Sequence, residues 1–306
     1  MTPSINLCEL LEKFGDNDKC REYLESLRWP EQVTCPACKS EKISRIHKRH
    51  QFDCDSCRYQ FSVTAGTIFH DSHLPLVKWF ATTYLMCESR KGMSANQIKR
   101  MMGISYKTAW YLCHRIRAAM KEAAETQAHL SGTVEMDETY VGGKNIGRGW
   151  ANKNENKEVV IGIRQRGGEL RFFHAEDAKS GTLAKYIKEN VSTDVDVMIT
   201  DELRAYPKAM ITAGVHGTKH KTIKHKDRVY VDGDVHTNTV ESAFSLLKRG
   251  IMGTWHKISA KHLEAYLDEM TFRFNNRKNT YLFRDTLLRM IGAYNVEYKQ
   301  LTKNIA

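Results

Sequence analysis

The sequence has few prolines, 5 in 306 residues, and no apolar run long enough to cross a bilayer. A membrane span needs about 20 consecutive apolar residues. The richest stretch, residues 74–87, is shorter and is interrupted by Lys78. A basic-then-apolar leader is missing as well. Glu9, Glu12, Asp16 and Asp18 stand near the N-terminus instead, and no signal peptide is expected. A disordered composition is excluded, because 41% of residues are hydrophobic and 27% charged, enough apolar material for a sizeable core. Positive charge, by contrast, is in excess: 47 Lys+Arg stand against 36 Asp+Glu, a net of +11. A pI near 9.2 favours a polyanionic partner, of which nucleic acid is the commonest.

Acids are also missing locally. Residues 94–121 carry Lys99, Arg100, Lys107, Arg115, Arg117 and Lys121 and no acid. Residues 204–228 carry Arg204, Lys208, Lys219, Lys221, Lys224, Lys226 and Arg228 against Asp227 alone. Residues 42–50 hold Lys42, Arg45, Lys48, Arg49 and two histidines, again without an acid. A single charge run is usually a solvated face. Three in one chain favour a surface that meets phosphates.

Of the 8 cysteines, four form Cys35-Pro-Ala-Cys38 and Cys54-Asp-Ser-Cys57, with fifteen residues between the pairs. Each Cys-x-x-Cys turn presents two thiolates on one side of a tight loop, and two turns close a tetrahedron around zinc. Four thiolates leave no open position, so the ion is structural. Short strands at 43–46 and 50–52, continued by 61–63, make the segment a zinc ribbon. Two disulfides are the rival reading, which a reducing compartment disfavours. Cys8, Cys20, Cys87 and Cys113 lack ligand spacing and read as small buried hydrophobes.

A helical segment over about 74–128 follows. Ser94 caps a short helix with Gln97 at the capping-box position, Gly103 ends it, and Ser105 caps a second helix from Tyr106. Helix, glycine turn and basic helix form a helix-turn-helix pattern, with a plain helical hairpin as the alternative. On that pattern Lys107, Thr108 and Tyr111 reach a major groove and Arg115 or Arg117 the phosphates.

From Gly132 the pattern changes. Strands are expected at 133–141, 158–164, 170–174, 196–200 and 218–224. Helices are expected at 182–190, from 202 towards 207, at 238–249 and at 259–275. Three strands before the first helix, then alternation, give a mixed sheet flanked by helices in the order of the ribonuclease H fold. Asp137 lies in the first strand, Asp201 ends the fourth and Glu241 opens a helix. Pairing strand one with strand four sets the two aspartates side by side. Clustered carboxylates call for cations, and oxygen ligands suit Mg2+ or Mn2+. Two such ions about 4 Å apart would serve an in-line phosphodiester displacement. Alternation puts Glu135 on the face of Asp137 and Glu138 on the other.

The ribbon, the helical linker, Asp137-Glu-Thr-Tyr-Val-Gly-Gly143, Thr200-Asp201, His236-x-Asn238-x-x-Glu241, Leu247-Lys-Arg-Gly250 and Arg273-Phe-Asn-Asn-Arg277 together resemble the ISXO-type transposases of bacterial insertion sequences. The resemblance runs from about residue 29 to about residue 277. It implies an α+β multidomain chain: segment and zinc ribbon at 1–70, helix-turn-helix-like domain at 71–130, ribonuclease H-like DDE domain at 131–280, and a helical tail at 281–306. It implies catalysis by Asp137, Asp201 and Glu241, with Asn238 and Lys248 beside them and two Mg2+ or Mn2+ ions. DNA contacts would come from Lys99, Arg100, Lys107, Thr108, Tyr111, Arg115, Arg117, Lys221, Lys224 and Lys226. Double-stranded DNA, as element terminal repeats and as target, is the implied partner. A homo-oligomer in a bacterial cytoplasm, at the nucleoid, is the implied setting. A domesticated, inactive DNA-binding regulator and a nuclease that cuts without joining stay open.

Overall fold

The structure, a computed structural model, describes residues 5–122, 127–142, 157–223 and 233–303. The chain divides into two compact units, residues 1–121 with 278–306, and residues 122–277. Among the described residues no helix is long and apolar enough to cross a membrane.

In the first unit, α1 (Leu7–Phe14) and α2 (Asn17–Arg28) precede the ribbon strands β1 (Ile43–Ile46), β2 (Gln51–Cys54) and β3 (Gln60–Phe61). The ribbon is a three-stranded antiparallel sheet in the order β1-β2-β3. Its core is small: Phe52, Phe61, Ala65, Cys35 and Cys54, with Trp29 edge-on to both phenylalanines. A core of this size needs a metal or a similar staple. Three helices follow: α3 (Leu76–Glu88), α4 (Ala95–Met102) and α5 (Tyr106–Met120). Ser94 accepts from the Gln97 amide and Ser105 from the Thr108 amide, as N-caps should. Gly103 turns the chain between α4 and α5 at φ 60°, ψ 46°, a left-handed position open to glycine.

The second unit is built on a five-stranded sheet of β4 (Thr133–Val141), β5 (Glu158–Gln165), β6 (Leu170–Ala175), β7 (Val197–Thr200) and β8 (His220–Thr222), ordered β6-β5-β4-β7-β8. The first three strands meander antiparallel, and β7 and β8 run parallel to β4. The helices are α6 (Ser180–Asn190), α7 (Ala205–Ala213), α8 (Asn238–Gly250) and α9 (Ala260–Asn275). One sheet face buries Val134, Met136, Ile161, Ile163 and Met198 against Leu183, Ile187, Tyr206 and Met210 of α6 and α7. The opposite face buries Val160, Leu170 and Phe172 against Val240, Phe244 and Leu247 of α8 and Leu263, Leu267 and Met270 of α9. The element order and mixed sheet are those expected of the ribonuclease H fold. Helix α7 begins later than the sequence pattern suggested. Its Pro207 lies in the first turn, where a missing N–H costs nothing.

The residues after 277 belong to the first unit. Helix α10 (Leu282–Gly292) carries Phe283 into a ring cluster with Phe14, Phe80 and Tyr84, and its Met290 carbonyl accepts from the Ile68 amide. A last short helix, α11, spans Tyr298–Thr302.

Candidate metal sites and nucleic-acid interface

The ribbon thiols are assembled by two turns of the same build. The Lys39 amide donates to the Cys35 carbonyl (2.9 Å) and the Arg58 amide to the Cys54 carbonyl (2.7 Å). Lys39 and Arg58 both sit in the left-handed region, at φ 63° and 61°. The four sulfurs lie within 4.8 Å of one another, with Cys35–Cys57 at 3.7 Å and Cys38–Cys54 at 3.5 Å. A zinc tetrahedron with Zn–S bonds of about 2.3 Å has S–S edges of about 3.8 Å, so the set fits the ion. Burial pushes the Cys54 thiol up, but the backbone N–H groups of Cys57 and Ser56 outweigh it and bring it down to about 7. That favours the thiolate at Cys54. At Cys57 the Tyr59 amide is outweighed by the Cys38 thiol, burial and the other thiols, which push it up to about 12. Zinc must therefore displace the proton the set retains.

In the second unit the β4–β7 register pairs Glu135 with Ile199. Two residues on, that register sets Asp137 opposite Asp201. Asp137, Glu138 and Asp201 bring carboxylate oxygens within 4.8 Å of one another. Glu138 reaches this rim from the α7 side, where it accepts a hydrogen bond from the Tyr206 hydroxyl at 2.8 Å. Alternation does put Glu138 on the other face, yet β7 stops at Thr200, so from there on this side of β4 is an open edge where carboxylates from both faces meet Asp201. Asp137 accepts from the Glu138 amide (2.8 Å) and Asp201 from the Leu203 amide (3.0 Å). Glu241, in the first turn of α8, lies outside the 4.8 Å group and accepts from the Thr237 hydroxyl at 2.6 Å. Burial, then the charges of Glu138 and Asp201, push Asp137 up to about 8, and Glu241 adds to the push. Glu138 is raised too, by burial and by Asp201. An all-oxygen donor set whose charges repel fits a hard divalent cation. Asn238 is exposed at the start of α8, and Lys248 is exposed on its last turn.

Gly162 explains how α8 comes so near. It pairs with Asp137 across the β4–β5 ladder. A Cβ there would stand 2.7 Å from Phe244 Cζ and 3.0 Å from Val240 Cγ2.

Residues 129–275 match the ISXO2-like transposase domain, and residues 15–60 match the transposase zinc-ribbon domain. A transposase zinc ribbon followed by an ISXO2-like transposase domain is the arrangement of the zinc-ribbon-bearing ISXO transposases, which this chain resembles. It is similar to an uncharacterized protein in transposable element ISH50 of Halobacterium salinarum, at 28% identity over 281 residues, which cover 86% of this chain and 92% of that protein.

In this transposase chain the basic residues anticipated for DNA fall into three groups. Lys99, Arg100, Lys107 and Lys221 are exposed, and Thr108 is half-buried. Lys224 and Lys226 lie outside the described residues. Tyr111, Arg115 and Arg117 need correction. Arg115 and Arg117 are each 2% exposed and cannot meet a phosphate. Arg115 donates to the His70 carbonyl at 2.6 Å and lies over the rings of Trp79 and Tyr111. Tyr111 donates to the Val296 carbonyl at 2.6 Å, and Tyr298 stands edge-on to it at 5.5 Å. The C-terminal residues thus occupy a face of α5 that sequence alone leaves open. Lys107 also rests over the Tyr298 ring, at 4.5 Å.

Sequence reading missed the part played by Glu138 and passed over Tyr206, Arg166 and the role of Glu135. Glu135 and Asp137 sharing a strand face was the available signal, since two acids facing one helix need partners.

Proposed function

We propose that the chain cuts phosphodiester bonds at the ends of a DNA element and joins the freed ends to target DNA. The observation that carries this reading is the juxtaposition of Asp137 and Asp201 at one edge of the sheet, inside the matched transposase domain. Asp137, Asp201 and Glu138 would hold the divalent ions, Mg2+ or Mn2+, with Glu241 closing the site from α8. When bound, such ions neutralise the carboxylates and stabilise the attacking and leaving oxygens of an in-line displacement. The chain's own contribution is position and charge. The sheet edge fixes the carboxylates, Tyr206 orients Glu138, and Lys248, seven residues along α8 from Glu241, is spaced to touch a phosphate. In the first displacement water is the nucleophile and a 3′-OH is released. In the second that hydroxyl attacks a target phosphodiester and a strand of target DNA leaves. No protein nucleophile is needed, and His236 is not a base. Its Nδ1 accepts from Arg166 at 3.0 Å, because a guanidinium only donates.

The exposed Lys99, Arg100 and Lys107 supply non-specific attraction to the duplex, and the ribbon belongs to the same unit. The test is cleavage and strand transfer on DNA carrying the sequences that flank the gene, in Mn2+. Asp137→Asn and Asp201→Asn are expected to abolish both while binding of the same DNA persists. Cleavage retained in either variant would remove the reading. Cleavage without joined product in the wild-type chain would reduce it to a nuclease.

A further inference from the structure

Glu135 is 0% exposed, two residues before Asp137 on the face of β4 that meets α8. A buried carboxylate is costly unless every oxygen is satisfied. Here each one is. Oε2 accepts from the backbone amides of Thr239 (2.9 Å) and Val240 (3.0 Å). Those are first-turn amides of α8, which a helix leaves without internal partners. Oε1 accepts from Nε of Arg166 at 2.7 Å. The same guanidinium donates to the carbonyls of Asp234 (2.7 Å) and His236 (2.9 Å), the segment leading into the helix.

The residue in the N-cap position of α8, Thr237, gives its helix no side-chain cap. Its hydroxyl instead donates to Glu241, at 2.6 Å. A strand carboxylate therefore does the capping, and the threonine is released to orient the acid of the helix. Charge agrees with this division, since a carboxylate at a helix N-terminus is favourable and Arg166 neutralises the remainder.

We propose that Glu135 and Arg166 are a positioning pair, which sets the first turn of α8, and with it Asn238 and Glu241, against Asp137 and Asp201. The pair touches neither substrate nor ion. It acts by register: β4 carries Glu135 and Asp137 on one rigid strand, so the helix is docked on the element that bears the first aspartate. The inference rests on the proposed role of Glu241 at that edge.

The experiment uses the full chain and Mn2+ as probe. Glu135→Gln keeps the shape but turns an amide donor towards Arg166 or towards the helix amides. Supporting residues of this kind typically alter metal affinity or activity about 10–100-fold. Isothermal titration of Glu135→Gln is expected to show Mn2+ binding weakened about tenfold. Its cleavage rate at saturating DNA should fall while the DNA half-saturation stays put, and excess Mn2+ should restore part of the rate. Glu135→Asp, which keeps the charge, should recover more than Glu135→Gln. A merely structural role would lower the active fraction without moving the Mn2+ half-saturation. If Glu135→Gln fails to fold, Arg166→Lys keeps a charge next to Glu135 but gives up the fork to Asp234 and His236, and it should move Mn2+ binding the same way. Wild-type Mn2+ binding and cleavage rate in the folded variant, with Asp137→Asn inactive, would overturn the positioning role alone. Cleavage surviving Asp137→Asn would overturn the site reading and this inference with it.

Discussion

The zinc knuckles and the carboxylate edge are both sets of side chains that could hold a metal ion, gathered within 4.8 Å, but they are built in opposite ways. Each knuckle supplies two thiols from one tight turn, so half of the tetrahedron is already formed by local backbone geometry. The carboxylate edge draws on the middle of β4 and the segment after β7, with α8 close by, and exists only once the sheet is paired. The first set is closed by four ligands of one kind and has no room for a substrate. The second keeps repelling charges at an open edge, a poor way to stabilise a fold and a good way to hold ions that meet phosphate. One site is placed for stability and the other is held in place despite its cost.

Removing the metals should separate the two most sharply. Structural zinc in small domains is worth about 10–16 kcal/mol of apparent binding energy. Cys35→Ser, or chelation, is therefore expected to unfold the ribbon while residues 122–277 stay folded, read by zinc content together with limited proteolysis. Unchanged zinc stoichiometry in Cys35→Ser would contradict the thiol site. At the other end Asp137→Asn should cost about 10³-fold or more in cleavage, several kcal/mol of barrier. It should leave the melting temperature of the metal-free chain unchanged or higher, because it deletes a charge that its neighbours oppose. A cooperative loss of fold in Asp137→Asn would show that the carboxylate is there for stability after all.

This contrast also decides what could be read in advance. The ribbon was legible because its ligands are local and their spacing is a geometric statement. Strands β4 to β6 were legible from their apolar patterning, and Asp137 and Asp201 from where they fall on it. Glu138 was left out of the carboxylate group because alternation, which does hold for it, says nothing of where the neighbouring strand β7 stops and opens both faces of β4 onto one edge. Arg115 and Arg117 were misread for a similar reason. A basic helix face looks the same in sequence whether it meets solvent or is covered. Arg115 is covered by His70 and Trp79, far from it in sequence, and Tyr111 by Val296 and Tyr298 from the far end of the chain. Gly162 and Glu135 needed the sheet register and the depth of α8 before either had a meaning.

The proton balance at the carboxylate edge gives the next effect in size. Asp137 is pushed up to about 8, against an ordinary value near 3.8. A raised folded value means that the metal-free fold has its full contribution from this group below about pH 4 and loses it as pH rises through 8. Metal must displace the same proton, so apparent Mn2+ affinity should climb by up to about tenfold per pH unit and level off above about 8. Melting curves from pH 5 to 9, with and without Mn2+, should show a metal-induced gain that grows with pH. A gain independent of pH would mean that Asp137 is already ionised in the free site, and the contrast with the thiol site would narrow.

A smaller effect is expected from the packing that brings α8 to the sheet. Gly162→Ala puts a methyl against Phe244 and Val240. Overpacking of this kind costs about 1–3 kcal/mol. Because Phe244 and Glu241 share a helix, the same variant should lower cleavage more than it lowers the melting temperature would suggest. Equal losses in both would make Gly162 a packing residue and nothing more.

The smallest effect sharpens the division among the basic residues of the first unit. Lys99 and Lys107 are exposed, whereas Arg115 is buried and already bonded to His70. If an exposed lysine meets a phosphate, losing it removes one counterion-releasing contact, and the slope of log affinity against log salt falls by about 1. Lys99→Ala should do this with little change in stability and little dependence on DNA sequence. Arg115→Lys should do the reverse: it keeps the charge, gives up the stacking between Trp79 and Tyr111, destabilises the unit and leaves the salt slope alone. Lys107 stands between the two, since its ammonium rests on Tyr298. A chain shortened after Ala293 would free Lys107 and Tyr111 together, and a steeper salt slope in that chain would show that the C-terminal residues cover a surface the DNA can use.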